Sequence, residues 1–166
     1  MSAIRLAWYK IYKPVAFYCS IFTVAPNGFD AEVASRGKAF VLDMIKDIDK
    51  RNNNREASPK EVSSIPTLQM IAECYARGIK FLPVNIEKSH AFMFLPENGS
   101  IRMPFSALSG LGDNAAANII AAREECPFSS IEDLQIRGKV TKSVIETLKK
   151  NHVLDGLNDT NQLSFF

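Results

Sequence analysis

The sequence predicts a mostly α-helical fold that contains one small β-hairpin. Three observations lead to this prediction. Apolar residues recur every three or four positions through most of the chain, which is typical of helices with one buried face. The clearest hairpin signal is the Asn98-Gly99 dipeptide between two apolar runs. A glycine turn, Gly110-Leu111-Gly112, leads into an alanine-rich segment with helical spacing.

Length and composition describe an ordinary globular chain. Its 166 residues are 46% hydrophobic and 23% charged, which is enough for one core or two small subdomains and argues against disorder. The net charge is only +2, and residues 101–166 contain seven Lys+Arg against eight Asp+Glu. If this part binds nucleic acid, backbone amides and individual lysines must do so, because it has no broad basic face.

Cysteine and histidine usage argues against a zinc site or a disulfide framework. The three cysteines, Cys19, Cys74 and Cys126, are far apart, and the only histidines are His90 and His152. We therefore expect reduced thiols. Neither a run of about 18 apolar residues nor a signal-peptide pattern is present. These features predict a soluble, cytoplasmic chain without a membrane partner.

The first helices are predicted over residues 4–12, 15–24, 29–35 and 38–51. Pro14 separates the first two helices, and Asp30 caps the third. Residues 15–24 are apolar nearly all round, so we expect that helix to be buried. Asp47 and Asp49 have the spacing of paired carboxylates, but they alternate with lysines, which favours a solvated helix face over a catalytic site.

A further helix begins with a strong capping signal. Ser58 precedes Pro59 and is followed three residues later by Glu61, which is the pattern of a capping box. The helix is predicted to continue to Arg77, with a kink or a restart at Pro66. Gly78 then provides a C-cap, because glycine adopts a left-handed conformation without strain.

The only predicted sheet follows this helix. Residues 79–86 are expected to form an extended connection. Residues 91–95 and 100–103 flank the Asn98-Gly99 turn and are predicted to pair as a β-hairpin.

The Gly110-Leu111-Gly112 turn has the properties of an anion site. Glycine permits a positive φ or the close approach of another surface. The turn leads into the N-terminus of a helix, where free amides and the positive end of the helix dipole attract anions. This stretch resembles a helix-hairpin-helix motif, which grips nucleic-acid phosphates through backbone amides. A tight helix–turn–helix corner without a ligand is the alternative.

A second, degenerate hairpin is predicted downstream. Residues 127–137 contain a helix start, with Leu134 and Ile136 facing inward, and residues 137–142 form a turn. Thr141 caps a helix over residues 142–150. Lys139 and Lys142 flank that helix start and supply charge where the first hairpin supplies amides. The alternative is that this hairpin only packs against the first.

Three separate stretches are similar to one family, the PolC type of bacterial DNA polymerase III alpha subunit. Residues 5–18 resemble the helix–Pro–helix at the end of the fingers domain in bacterial replicative polymerases. Residues 105–123, together with residues 128–157, resemble the helix-hairpin-helix module of these polymerases. Residues 162–166, Gln-Leu-Ser-Phe-Phe, look like the short sliding-clamp-binding motif, although Phe165 replaces the commoner leucine.

The resemblance implies a C-terminal fragment of a replicative DNA polymerase. The palm aspartates that hold two Mg²⁺ ions for nucleotidyl transfer have no counterpart here, so the chain is expected to be inactive alone and to need no cofactor. The implied partners are duplex primer–template DNA, the sliding clamp and the rest of the polymerase chain. The implied domains are a fingers-like segment (residues 1–88), a β-hairpin connector (89–104), a tandem helix-hairpin-helix module (105–157) and a clamp-binding tail (158–166).

The candidate site residues fall into two groups. The DNA-binding candidates are Gly110, Leu111, Gly112, Asp113, Asn114, Lys139 and Lys142. The clamp-binding candidates are Gln162, Leu163, Ser164, Phe165 and Phe166. Asp113 has the wrong charge for a phosphate, so only its amide or a capping role fits. Two other functions stay open, namely a stand-alone module whose hairpins bind protein and a DNA-binding protein of repair or competence.

Overall fold

The computed structural model describes residues 3–160, and these residues divide into two compact units. The first unit comprises residues 3–83 and 93–103, and the second comprises residues 84–92 and 104–160. The described helices are α1 (Ala3–Tyr12), α2 (Pro14–Val24), α3 (Ala31–Ser35), α4 (Lys38–Asn53), α5 (Pro59–Ala76), α6 (Asp113–Glu125), α7 (Ile131–Arg137) and α8 (Lys142–Lys150). One small sheet accompanies them, so the mostly α-helical prediction is confirmed.

The predicted helix starts are confirmed where a polar side chain caps them. Asp30 accepts hydrogen bonds from two amides of α3, and Ser58 and Glu61 form the capping box of α5. Glu61 also pairs with Arg51 at 2.7 Å. Hydrogen bonds from the Arg51 side chain and from Ser58 lower the pKa of Glu61 to about 2. The caps of α3 and α5 can be predicted from sequence, because each joins residues that are a few positions apart.

Helix α5 continues through Pro66, so of the two predicted alternatives, a kink or a restart, the restart does not occur. Contacts from outside the helix hold this region in place. The Thr67 hydroxyl donates to the carbonyl oxygen of Asn27 at 2.6 Å. Gly28, with φ of +77°, brings the preceding turn so close that an added Cβ would lie 2.6 Å from Cβ of Ser64. Only glycine fits this close approach.

The sheet has three strands in the order β1–β3–β2: β1 (Phe81–Leu82), β2 (Leu95–Glu97) and β3 (Ser100–Arg102). β2 and β3 form the predicted hairpin, and both turn residues, Asn98 and Gly99, have positive φ. Two details differ from prediction. Residues 91–94 precede the strand, and β1, predicted as an extended connection, pairs in parallel with β3.

Aromatic packing and one buried ion pair stabilise the first unit. Phe22, Phe29 and Phe94 form a cluster with ring centroids 4.6–5.5 Å apart. Arg102 is only 8% exposed and binds both carboxylate oxygens of Glu97, at 2.7 and 2.8 Å. Its remaining nitrogen Nη1 donates to the carbonyl of Pro83. This arginine therefore ties both edges of the sheet together.

Helix α2 is only partly buried, whereas the sequence predicts a buried helix. Tyr18, Cys19 and Phe22 are buried, whereas Val24 is 84% exposed. The two helices at the start of the chain pack through part of their surface and leave the rest in solvent. The pattern of apolar residues does not predict this partial exposure. It shows which faces of a helix can be buried and not which faces meet a neighbour.

The described cysteines are all free, and Cys19 and Cys74 are buried. Burial raises the pKa of each of these two thiols to about 12, so both are protonated at neutral pH. Among the helices within residues 3–160, each is too short or too polar to traverse a lipid bilayer.

Candidate nucleic-acid interface

The first candidate turn lies in the second unit, between a short 3₁₀ turn (Phe105–Ala107) and α6. Gly110 has φ of +89°, which a residue with a side chain adopts only with strain. The buried side chain of Leu111 anchors the turn in the core. A Cβ on Gly110 would lie 3.6 Å from Oγ1 of Thr147, so the first turn rests on α8.

Helix α6 begins with open amides. Gly112 is its N-cap, no side chain caps the helix, and the first helical bond joins the Ala116 amide to the Gly112 carbonyl. Within residues 3–160, no acceptor meets the amides of Asp113 and Asn114. A Cβ on Gly112 would have nothing within 4 Å, so space is open beside these amides. The amide of Leu111 instead donates to the carbonyl of Leu108, which removes it from the free donors.

The second candidate turn, residues 138–141, joins α7 to α8. Gly138 lies so close to α7 that a Cβ would come within 2.6 Å of the Leu134 carbonyl oxygen. Lys139 has φ of +48°, Val140 is buried, and Thr141 caps α8 by accepting from the amide of Val144. The inward placement of Leu134 is confirmed, whereas Ile136 is 68% exposed and its predicted placement is wrong.

The two turns share one backbone pattern. A residue in the left-handed region is followed by a buried apolar residue and then by the N-cap of a helix. Gly110, Leu111 and Gly112 fill these positions in the first turn. Lys139, Val140 and Thr141 fill them in the second. Gly138 is the one glycine of the second turn, but the positive φ that Gly110 has in the first turn is adopted there by Lys139, which no pattern of residue types indicated.

The candidate lysines carry charge that the described residues do not neutralise. Lys139 and Lys142 are exposed, and no acidic side chain among residues 3–160 forms an ion pair with either. Lys142 is the first residue of α8, where its charge opposes the helix dipole. Asp113 occupies the same position in α6, where the dipole favours a carboxylate. Asn114 is also exposed, beside the open amides.

The N-terminus of α7, in contrast, is closed by the chain itself. Ser130 accepts a hydrogen bond from the amide of Asp133, and the amides of the first two helical residues donate to the carbonyls of Asn158 and Asp159. Hydrogen bonds from the Ser129 amide and from Arg137 hold the pKa of Asp133 below its usual range. Of the described helices in this unit, only α6 begins without a side-chain cap, whereas Thr141 caps α8 with a single hydrogen bond.

Two arginines that were not among the predicted site residues connect separate segments of the second unit. Arg137 donates to the carbonyls of Ala122 and Cys126 at the end of α6, and it pairs with Asp133 at 3.1 Å. Arg123 donates from one nitrogen to the carbonyls of Ile86 and Ser89. Both arginines bind backbone oxygens far away in the sequence, so no local pattern reveals their role.

The remaining candidates lie elsewhere. Gln162 to Phe166 fall outside the described residues. Asp47 and Asp49 lie on α4 in the first unit, where Asp47 accepts a hydrogen bond from Arg51. Across residues 3–160, no group of three or more His, Cys, Asp or Glu side chains is arranged to hold a metal ion.

The chain is similar to one family of motifs and to a group of named bacterial proteins. A family model described as helix-hairpin-helix motif matches residues 78–163. Proteins named DNA polymerase III PolC-type align along the whole chain, with 42% identity in Lacticaseibacillus paracasei, 42% in Clostridium perfringens and 38% in Bacillus subtilis. The chain spans 11% of the length of each of these relatives.

The contacts of Arg137 lead to a stability prediction. Replacing Arg137 with Ala should lower the free energy of unfolding by about 2–3 kcal/mol, because the carbonyls at the end of α6 lose their donor and the carboxylate of Asp133 loses its partner. Urea unfolding measures this. Arg36→Ala is the matched control, since Arg36 forms an exposed pair with Glu32 on α3, and it should cost about 0.5 kcal/mol or less. Equal losses in the two variants would contradict the role assigned to Arg137.

Proposed function

Because the chain belongs to the helix-hairpin-helix family and is homologous throughout its length to a segment of PolC-type DNA polymerase III, we propose that it binds duplex DNA as part of a replicative DNA polymerase. It holds the phosphate backbone of the primer–template and does not read sequence. The polymerase activity, its Mg²⁺ and a cytoplasmic location belong to the same proposal for the longer protein. This chain supplies the grip on the duplex.

The observation that carries the proposal is the repeated turn in front of two helices, the first of which begins with uncapped amides and the second with exposed lysines. Gly112, Asp113 and Asn114 offer amides to one phosphate group, and Lys139 and Lys142 offer charge to another. A backbone amide recognises a phosphate oxygen in the same way whatever base follows, so this grip is independent of sequence. Gly110 and Leu111 shape the first turn, and the amide of Leu111 is already engaged with Leu108.

The charge of the chain fits a grip of this kind. With a net charge of +2, the protein has no extended basic surface of the sort that coats DNA. Few phosphates are therefore neutralised, and the salt dependence of binding is expected to be shallow. With few phosphate contacts, the affinity of the chain alone for DNA is expected to be modest. Higher affinity comes from tethering within the polymerase, where a second contact acts at high effective concentration.

We assign the second contact of the proposal to residues 162–166. The Gln-Leu-Ser-Phe-Phe sequence has the chemistry of a short peptide that docks into an apolar pocket of a sliding clamp. Leu163, Phe165 and Phe166 are the apolar anchors, Gln162 is the hydrogen-bond donor and acceptor, and Ser164 is the small residue between them. A clamp that encircles DNA and a hairpin module that holds DNA reinforce each other when one chain joins them.

The DNA-binding proposal is tested by fluorescence anisotropy with a labelled primer–template across a salt series. We expect binding that weakens as salt rises and that is equal for scrambled sequences. Gly112→Val should weaken binding about tenfold, because the added side chain enters the open space beside the amides. The variant should still fold, since φ of Gly112 is −75°, and it should lose only a little stability because valine is a poorer N-cap than glycine.

Ala121→Val is the matched control for this variant. It adds similar bulk to an exposed position of α6, two turns away from the open amides, and binding should not change. If the wild-type chain fails to bind at low salt, or if Gly112→Val binds as well as the wild type, the assigned phosphate site is wrong. Binding of a protein and not of DNA would favour an interaction module.

Lys139 allows stability and binding to be separated. Lys139→Gly should raise the free energy of unfolding by about 0.5–1 kcal/mol, because glycine adopts a positive φ without strain. The same change removes a cation and should weaken DNA binding. Arg55→Gly is the matched control, since Arg55 is an exposed cation with φ of +61° in the first unit. It should stabilise the chain and leave DNA binding unchanged. A Lys139→Gly variant that retains full affinity argues against a phosphate contact.

The tail is tested separately from the hairpins. Replacing both Phe165 and Phe166 with Ala should abolish binding to a purified bacterial sliding clamp in calorimetry, because the two rings supply most of the apolar area of the motif. DNA affinity should be unchanged. Asn161→Ala, directly before the motif, is the control and should bind the clamp normally. Clamp binding that survives the double substitution would exclude the tail as the tether.

A further inference from the structure

The second unit contains a pocket that the proposed DNA contacts do not use. Its volume of about 380 Å³ lies within the usual range for ligand pockets in proteins, about 300–1,000 Å³. Ile86, Phe128 and Leu157 are half-buried and line the pocket with apolar surface. The other lining residues are Glu87, Arg123 and Pro127. Three partly exposed apolar side chains on one concave surface favour an apolar occupant.

Contacts between distant segments fix the walls of this pocket. Nη1 of Arg123 on α6 donates hydrogen bonds to the carbonyl oxygens of Ile86 and Ser89, at 3.0 and 2.8 Å. The guanidinium group of Arg137 lies 5.2 Å from the centre of the Phe128 ring. The pocket is therefore formed before anything binds, and an occupant does not have to order its walls.

Arg123 gives the pocket a cationic wall. It is half-buried, and burial lowers the pKa of its guanidinium group. Within residues 3–160, no acidic side chain forms an ion pair with Arg123, and no acceptor meets its Nε or Nη2. A guanidinium group that is partly shielded from water attracts the face of an aromatic ring, as Arg137 and Phe128 already show in this unit. An aromatic side chain therefore fits this pocket better than an aliphatic one.

One wall of the pocket lies close in sequence to residues 162–166. Leu157 lines the pocket, and Asp159 follows two residues later. Asp159 is held in place, because its carbonyl accepts a hydrogen bond from the amide of Glu132 and its carboxylate pairs with Lys149 at 2.9 Å. The chain from Asp159 to residue 166 spans up to about 23 Å when extended, whereas the Cα atoms of Asp159 and Leu157 are at most about 7 Å apart. Residues 162–166 are therefore long enough to reach the pocket.

We propose that the aromatic rings of Phe165 and Phe166 dock in this pocket of their own chain, and that binding to a sliding clamp requires their release. This inference rests on the proposed clamp-binding function of residues 162–166. Two adjacent rings suit apolar walls that include a guanidinium group. The covalent link through Asp159 keeps the rings at a high effective concentration, so weak contacts are sufficient. Docking lowers the apparent affinity of the chain for the clamp in proportion to the fraction of chains whose rings are undocked.

A single fluorine label at position 166 tests this docking. In the 166-residue chain, Trp8→Phe removes the one natural tryptophan, Phe166→Trp places an indole ring at position 166, and 5-fluorotryptophan labels it. The change in its ¹⁹F shift between H₂O and D₂O measures the exposure of the ring. We expect this change to be about twofold smaller than in a free peptide of residues 158–166 with the same substitution, because a docked ring is shielded from water. Phe128→Ser and Ile86→Ser should each bring the value close to that of the peptide.

Ile136→Ser is the matched control, since Ile136 is 68% exposed in the same unit and does not line the pocket, and it should leave the fluorine signal unchanged. A ring as exposed as in the free peptide overturns the proposal, and so does a shielded ring that neither pocket variant releases. Shielding that increases with the concentration of the chain also overturns it, because the ring then occupies the pocket of a second copy.

Clamp binding provides the second readout, in the chain with its natural residues at positions 8 and 166. Phe128→Ser should bind a purified bacterial sliding clamp about fivefold more tightly than the wild type in calorimetry, because the rings no longer have to leave the pocket. Equal affinity overturns the proposed release. If the clamp binds neither chain, the clamp-binding function itself fails, and the fluorine signal still reports on docking because it is measured without clamp or DNA.

Discussion

The guanidinium group of Arg137 is the interaction on which the candidate interface depends. It closes the C-terminal end of α6 by donating to the carbonyls of Ala122 and Cys126, and it is held in turn by Asp133. The carbonyls at the end of a helix have no partner within the helix, so a buried or half-buried end needs an external donor. By supplying that donor from α7, the chain fixes the second hairpin to the first helix.

The two hairpins reach the same backbone shape by different means. In the first, glycine occupies the left-handed position and leaves bare amides in front of α6. In the second, Lys139 accepts the strain of a positive φ and places a cation at the equivalent point. One turn thus offers hydrogen-bond donors and the other offers charge, which are two ways of holding the same kind of anion.

The first unit shows how a helix can be well placed without being buried. Lys10, Glu73 and Arg77 fix α1 through polar contacts, whereas the interior of the unit is built from the aromatic cluster and the Arg102–Glu97 pair. Polar contacts set the position of a helix but remove little apolar area from water. The exposed stripe of α1, which includes Ile4, Trp8 and Ile11, is consistent with this.

The sequence by itself determined the features that depend on neighbouring residues. These features are set by contacts within a few positions, so the residue types predict them. They are the caps at Asp30, Ser58 and Thr141, the Asn98-Gly99 turn and the Gly110 turn. The mostly helical class and the paired hairpins follow from the same signals. The resemblance to PolC-type polymerases could also be recognised from the sequence, because the motifs that carry it are short and contiguous.

Only the tertiary structure decided which surfaces meet. It paired Phe81 with Ile101 in parallel, left Ile136 and much of α1 and α2 in solvent, and gave the left-handed position to Lys139. It also turned Arg137 toward carbonyls up to fifteen positions away and engaged the amide of Leu111 within its own turn. These outcomes depend on contacts between distant segments, and the physical reason they escape prediction is that periodicity records which faces can be buried, not which partner buries them.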